Sequence, residues 1–215
     1  MAITTLNLRG LNRSDTATTG QVVTATSAVA MDFQAAGGGE WTRLNTQTIS
    51  SSIANFTVDN VFSSTYQTYK LFWNDVDYSA AAYPLIQFLT GGDGTVASGS
   101  TYKVKYNFTY NGLTAHASAG GSNTQTTGFS PTSLYNHNHS DYGSTGEITF
   151  FNPADNTQYN AILFNTNYYD GTHWRNSYGN GYYDGAKISA TGYKLSSNTG
   201  TIDTGEYTLY GIKRA

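Results

Sequence analysis

The chain contains no cysteine, which excludes a disulfide framework, a thiolate metal site and a thiol nucleophile. That absence suits a protein folded in a reducing compartment. Only 12% of the 215 residues are charged and the formal net charge is −3. There is no cluster of Lys and Arg of the kind that tracks a phosphate backbone, so nucleic acid is not an expected partner. No apolar run approaches the roughly 20 residues a membrane-crossing helix needs, and the N-terminus lacks the basic-then-apolar pattern of a secretory signal. Proline occurs three times and glycine 23 times, so the turns are expected to rest on positive φ rather than on fixed kinks. Good helix formers are scarce, and no segment of the body sustains an apolar stripe of helical period over three turns.

What is present divides at Gly37-Gly38-Gly39, followed at once by Glu40-Trp41. Residues 1–36 string a few large apolar side chains, chiefly Leu6, Leu8, Leu11, Val22, Val23, Met31 and Phe33, through Thr, Ala, Ser and Asn. Such a segment buries too little surface to offset the entropy of ordering itself. It reads as an extended N-terminal arm that becomes ordered by docking those side chains on another chain. Within it, Gly20-Gln21-Val22-Val23-Thr24-Ala25-Thr26 suits a strand better than a helix, and is expected to pair with a neighbour. Residues 37–40 read as a Gly-rich hinge. Residues 41–215 read as one body, large enough to bury roughly 70% of its unfolded surface.

The apolar pattern of the body has period two. In Tyr102-Lys103-Val104-Lys105-Tyr106-Asn107-Phe108-Thr109-Tyr110, large and polar side chains alternate, as a strand with one buried face requires. Asn111-Gly112 follows, a preferred two-residue hairpin turn. Further strands are predicted over residues 41–50, 53–58, 68–75, 83–90, 146–152, 158–165, 186–194 and 206–213. Short strands without crossover helices predict an all-β fold, an antiparallel, jelly-roll-like β-sandwich.

The most unusual local composition lies between Tyr168-Tyr169-Asp170-Gly171 and Tyr182-Tyr183-Asp184-Gly185, with His173, Trp174, Arg175, Asn176 and Tyr178 between them. Aromatic faces stack on sugar rings while Asp, Asn and Arg hydrogen-bond hydroxyls, and such rigid amphipathic side chains are also favoured at protein interfaces. The stretch is therefore a candidate glycan or receptor contact. Its structural alternative is a long loop whose Asp-Gly pairs are only turns and whose tyrosines cover the end of the core. Asn74, Asp75 and Asp77 have oxygen donors but no EF-hand spacing, and read as a turn after Trp73. Gly91-Gly92-Asp93-Gly94 lacks the Gly-Lys-Ser/Thr of a phosphate cradle and reads as a loop. No Gly-x-Ser-x-Gly elbow or His-Glu-x-x-His helix occurs. A glycan-cleaving site would need two of Asp141, Glu147, Asp170 and Asp184 to face each other across a sugar. The expectation is a protein that is not an enzyme and needs no cofactor.

Five passages, Leu6-Asn7-Leu8-Arg9-Gly10, Gly20-Gln21-Val22-Val23-Thr24-Ala25, Thr48-Ile49-Ser50-Ser51-Ser52 leading to Asp59-Asn60-Val61-Phe62, Gly146-Glu147-Ile148-Thr149-Phe150-Phe151-Asn152-Pro153 and Leu209-Tyr210-Gly211-Ile212-Lys213, together resemble a family of virion structural proteins of marine bacteriophages. The resemblance spans nearly the whole chain through the order of its motifs. It implies a fibre or spike subunit, assembled into a virion in the host cytoplasm, with its arm embedded among tail or capsid proteins and its β-domain facing a host-surface glycan or receptor. The alternative it implies is a decoration, knob or cement protein on the head shell. It also implies a homo-oligomer, with a trimer favoured. Around a trimer axis, His137-Asn138-His139 would present six imidazoles to a metal, which makes His137 and His139 weak ligand candidates. No repetitive shaft, collagen-like run or heptad stalk is present.

Overall fold

A computed structural model of the chain describes residues 21–25, 31–35, 41–97, 102–110, 121–125, 127–132 and 142–213. The chain divides into two compact units, Met1–Gly39 and Glu40–Ala215. In the first unit, Gln21–Ala25 (β1) and Met31–Ala35 (β2) pair antiparallel, with Val23 opposite Phe33. The strand expected in this segment is present, and along one edge it pairs with a second strand of the same segment. β-branched Val22, Val23 and Thr24 favour the pleated form over the helix that the alanines would allow. Leu6, Leu8, Leu11 and the glycines of the seam lie outside the described residues.

The second unit contains Trp41–Ile49 (β3), Asn55–Val58 (β4), Thr68–Tyr78 (β5), Pro84–Leu89 (β6), Tyr102–Tyr110 (β7), Gly121–Gln125 (β8), Ser144–Phe151 (β9), Ala161–Tyr169 (β10), Trp174–Tyr183 (β11), Gly192–Ser197 (β12) and Ile202–Ile212 (β13). No helix occurs among the described residues. Eight strands form one antiparallel sheet in the order β3-β13-β5-β9-β10-β11-β7-β8, and three form a smaller sheet in the order β4-β12-β6. The small sheet lies against one face of the large one, giving an all-β sandwich. Phe56 of β4 meets Tyr207 of β13 at 5.1 Å between ring centroids, and Phe88 of β6 meets Phe150 of β9 at 5.9 Å.

Period-two sequence becomes a two-faced strand most plainly in β10. Ile162, Phe164, Thr166 and Tyr168 are buried, while Leu163, Asn165 and Asn167 between them are exposed. β5 repeats the pattern with Tyr69, Leu71 and Trp73 inward. Phe62, from the loop after β4, sits at the centre of an aromatic tier with Tyr69 at 4.7 Å, Phe150 at 5.3 Å and Tyr193 at 6.2 Å. Part of the tyrosine-rich composition is thus core composition. Tyr69, Tyr78, Tyr102, Tyr168, Tyr193 and Tyr207 are all fully buried. The Tyr69 hydroxyl is served by Ser63, donating to its carbonyl at 2.9 Å and accepting from its N–H at 2.7 Å.

Several expected boundaries move. The strand read over 186–194 is Gly192–Ser197, and the residues before it make single contacts instead: the Ala190 N–H donates to Pro153 and the Thr191 N–H to Leu89. β5 does not end in a turn after Trp73. It runs on to Tyr78 through a bulge, where Asp75 takes a φ of 52° and the pairing with β9 skips from Trp73 to Val76. Asn111-Gly112 lies outside the described residues. Gly91-Gly92-Asp93-Gly94 is a loop, with Gly91 and Gly94 at φ 86° and 75° and the Asp93 carboxylate accepting from Thr95.

Candidate functional site

The segment from Tyr168 to Asp184 is a hairpin in the large sheet, not a long loop. β10 and β11 pair from Ala161 with Tyr182 to Tyr169 with Trp174. The connection is the four residues Asp170-Gly171-Thr172-His173, with Gly171 at φ 94°, a backbone state that glycine adopts without strain. Asp170 ties this turn together. Its carboxylate accepts from the His173 N–H at 2.7 Å and the Thr172 N–H at 2.9 Å, and pairs with the Arg175 guanidinium. Burial works against its charge, but the N–H donors and Arg175 prevail and hold its carboxyl below the usual range. Arg175 also lies over the Phe108 ring, at 5.1 Å.

Because strands alternate, each Tyr-Tyr pair is split between the two faces. Tyr168 and Tyr183 point inward, are 0% and 2% exposed, and so are corrected from contact candidates to core residues. Trp174, Tyr178 and Tyr182 project from the opposite face and are 44%, 44% and 41% exposed. They recur at every fourth residue along β11, over about 26 Å at a strand's rise per residue. At the turn end, Trp174 joins Tyr169 and Tyr142 in a cluster with centroids 4.7–6.0 Å apart. At the other end, Lys103 pairs with Asp184 and lies 5.6 Å from the Tyr182 ring centre. Its ammonium is held above the usual lysine range, chiefly by the hydrogen bond to Asp184.

Between these rings lies an amide cluster. Asn176 donates to the side-chain oxygens of Asn165 at 2.7 Å and Asn167 at 3.1 Å. Among the described residues, this leaves the amide nitrogens of Asn165 and Asn167 as unused donors on an exposed surface. The middle of the same face carries an open depression of about 770 Å³, bordered by Lys70, Lys105, Glu147, Leu163, Asn165 and Tyr178. Lys70 bridges to Glu147 at 3.0 Å and sits 5.8 Å and 5.7 Å from the Trp41 and Phe72 ring centres. The small sheet packs on the other side, and Leu163 and Tyr178 on this face are exposed.

Chemically, the arrangement offers flat aromatic faces and free amide donors in alternation. Ring faces carry negative potential and suit the C–H faces of sugars, and the amides suit their hydroxyls. The sequence reading singled out the β11 residues, and Glu147 only as a carboxylate for sugar cleavage, and did not name Leu163, Asn165 and Asn167 of β10 or Lys70 and Lys105 around them. Their signal was the polar half of each period-two strand, visible only once adjacent strands were known.

Among the described residues, the carboxylates proposed for sugar cleavage stand apart. Asp170 and Asp184 flank the ten residues of β11, about 30 Å apart by strand rise. Glu147 lies opposite Asn165, about 16 Å along the strand from Asp170. A retaining or inverting pair needs roughly 5–9.5 Å. Asp141, His137 and His139 lie outside the described residues. Asp75 is exposed, and the Asp77 carboxylate accepts from its neighbour's N–H on Tyr78 at 2.8 Å. Among the described residues, no three His, Asp or Glu side chains are placed to hold a metal ion. No protein-family model, curated protein or solved structure matches the chain.

Proposed function

We propose that the chain is a virion structural protein, a fibre or spike subunit anchored by its N-terminal segment and presenting a jelly-roll-like β-sandwich head to a host-surface glycan. One observation carries the attachment part: Trp174, Tyr178 and Tyr182 stand in a row on a solvent-facing sheet with the Asn165, Asn167 and Asn176 amides beside them. A stable fold has no need to expose these rings, and large exposed apolar surface rimmed by polar groups marks contact sites. The particle part rests on the resemblance and is supported by the division of the chain at Gly39. The reading is binding without turnover, and it is supported by the pairing of Glu147, Asp170 and Asp184 each with a cation.

The alternative, a capsid decoration protein, draws on a different feature. β3, the first strand after the seam, forms an edge of the large sheet, where a strand from a shell protein could add. A density map of the intact particle separates the two by location. For the attachment role, the full chain is applied to an array of surface oligosaccharides. Selective retention of some of them is expected, and a folded chain that retains none refutes it.

A further inference from the structure

We propose that the glycan bound on this face is acidic, an oligosaccharide with a carboxylate-bearing sugar whose ring lies on Tyr178 and whose anionic group meets Lys105. This rests on the glycan reading of the site and adds its charge class. The chain as a whole is negative, at −3, yet the depression has the opposite balance. Its charged borders are Lys70, Lys105 and Glu147, and Glu147 is already bound to Lys70. The neighbouring Lys103 is likewise held by Asp184. Lys105 is exposed and has no partner among the described residues, so an incoming anion meets one available ammonium and no available carboxylate. An uncharged ligand leaves that ammonium unused.

The register supplies the spacing. Lys105 lies opposite Asn180 and Tyr178 opposite Asn107, so Lys105 and Tyr178 are diagonal neighbours on adjacent strands, about 7–8 Å apart. That separation suits a single sugar, with its ring on the phenol and its carboxylate over the amine. Among the described residues, a polyphosphate would find no second free cation within the depression, whereas one charge per sugar is matched.

The test uses the full chain and three probes of equal length: oligogalacturonate, a sulfated galactan oligomer and an uncharged cello-oligosaccharide. Oligogalacturonate is expected to bind most tightly and to weaken as sodium chloride is raised, because screening shortens the reach of an exposed charge. Lys105→Gln should weaken it about fivefold, the scale of one exposed ion pair, and leave the uncharged probe unaffected. Tighter binding of the sulfated probe would overturn the carboxylate assignment. Equal binding of charged and uncharged probes, with Lys105→Gln neutral for both, would overturn the acidic-glycan inference while leaving glycan attachment standing. If a folded chain binds none of the three, nor any other oligosaccharide, attachment itself fails and this inference with it.

Discussion

Raising the pH should unfold this protein steeply, for a reason specific to its core. Tyr78, Tyr102, Tyr193 and Tyr207 are at most 1% exposed, and burial pushes each hydroxyl well above the ordinary value of 10.0. The Tyr207 hydroxyl is raised further by Tyr78 beside it. Since the folded values lie above the unfolded one, the protons these groups hold contribute stability that is fully present below pH 10. It is lost as the pH climbs toward the folded values. Each group then steepens the fall by about 1.4 kcal/mol per pH unit, and four together give roughly 5–6 kcal/mol per unit. A domain stable by about 5–15 kcal/mol should therefore unfold within about one to three units above pH 10. Tyrosinate absorbance and far-ultraviolet circular dichroism, followed together, test this. The buried hydroxyls should ionise only as the dichroism is lost. Tyr193→Phe removes a hydroxyl that lacks a partner, so it should cost little at neutral pH and reduce the alkaline slope by about a quarter. Ionisation of all the tyrosines with the dichroism intact would refute the reasoning.

Other expected outcomes concern packing, the turn and the seam. Phe150→Ala removes a ring packed against Phe62 and Phe88 in the aromatic tier and should cost about 3–5 kcal/mol in denaturant unfolding. Gly179→Val should be worse tolerated than its exposed surroundings suggest, because a Cβ there would lie 2.0 Å from the Lys105 carbonyl oxygen; poor soluble yield is the readout. Asp170→Asn removes the charge that binds the Thr172 and His173 N–H groups and the Arg175 guanidinium and should destabilise by about 1.5–3 kcal/mol, the scale of hydrogen bonds to a charged group. The wild-type contribution is present above the ordinary carboxylate pKa of 3.8 and is lost as pH falls through the lower folded value. Deleting residues 1–36 should leave a soluble, folded body, as read by circular dichroism.

The fold was legible wherever one face of a strand is buried, because burial imposes period two on the sequence. β7 and β5 announce themselves in this way. β11 did not, because Trp-Arg-Asn-Ser-Tyr-Gly-Asn-Gly-Tyr-Tyr is too rich in Gly and Asn for a strand by propensity. Its glycines answer to contacts from other strands: Gly179 faces the Lys105 carbonyl and the Phe164 ring, and Gly181 the Phe129 ring. No local rule reports such neighbours. The same gap hid half of the candidate site. Trp174, Tyr178 and Tyr182 are conspicuous by type, but the Asn165, Asn167 and Lys105 side chains look like ordinary solvated positions until the sheet order sets them beside the rings. Tyr168 and Tyr183 were drawn in by their residue type, when alternation sends one member of each tyrosine pair to the core.

The central claim is that the outer face of the large sheet binds a glycan through its row of rings. Its most direct test is a titration of the full chain with an oligosaccharide retained on the array, read by NMR and by tryptophan fluorescence, alongside the triple variant Trp174→Ala, Tyr178→Ala, Tyr182→Ala. Shifts confined to β5, β9, β10, β11 and β7, with at least about a tenfold loss of affinity in a variant of unchanged fold, are predicted from two or more lost stacking contacts of about 1 kcal/mol each. Shifts elsewhere, or unchanged affinity in the triple variant, would contradict it.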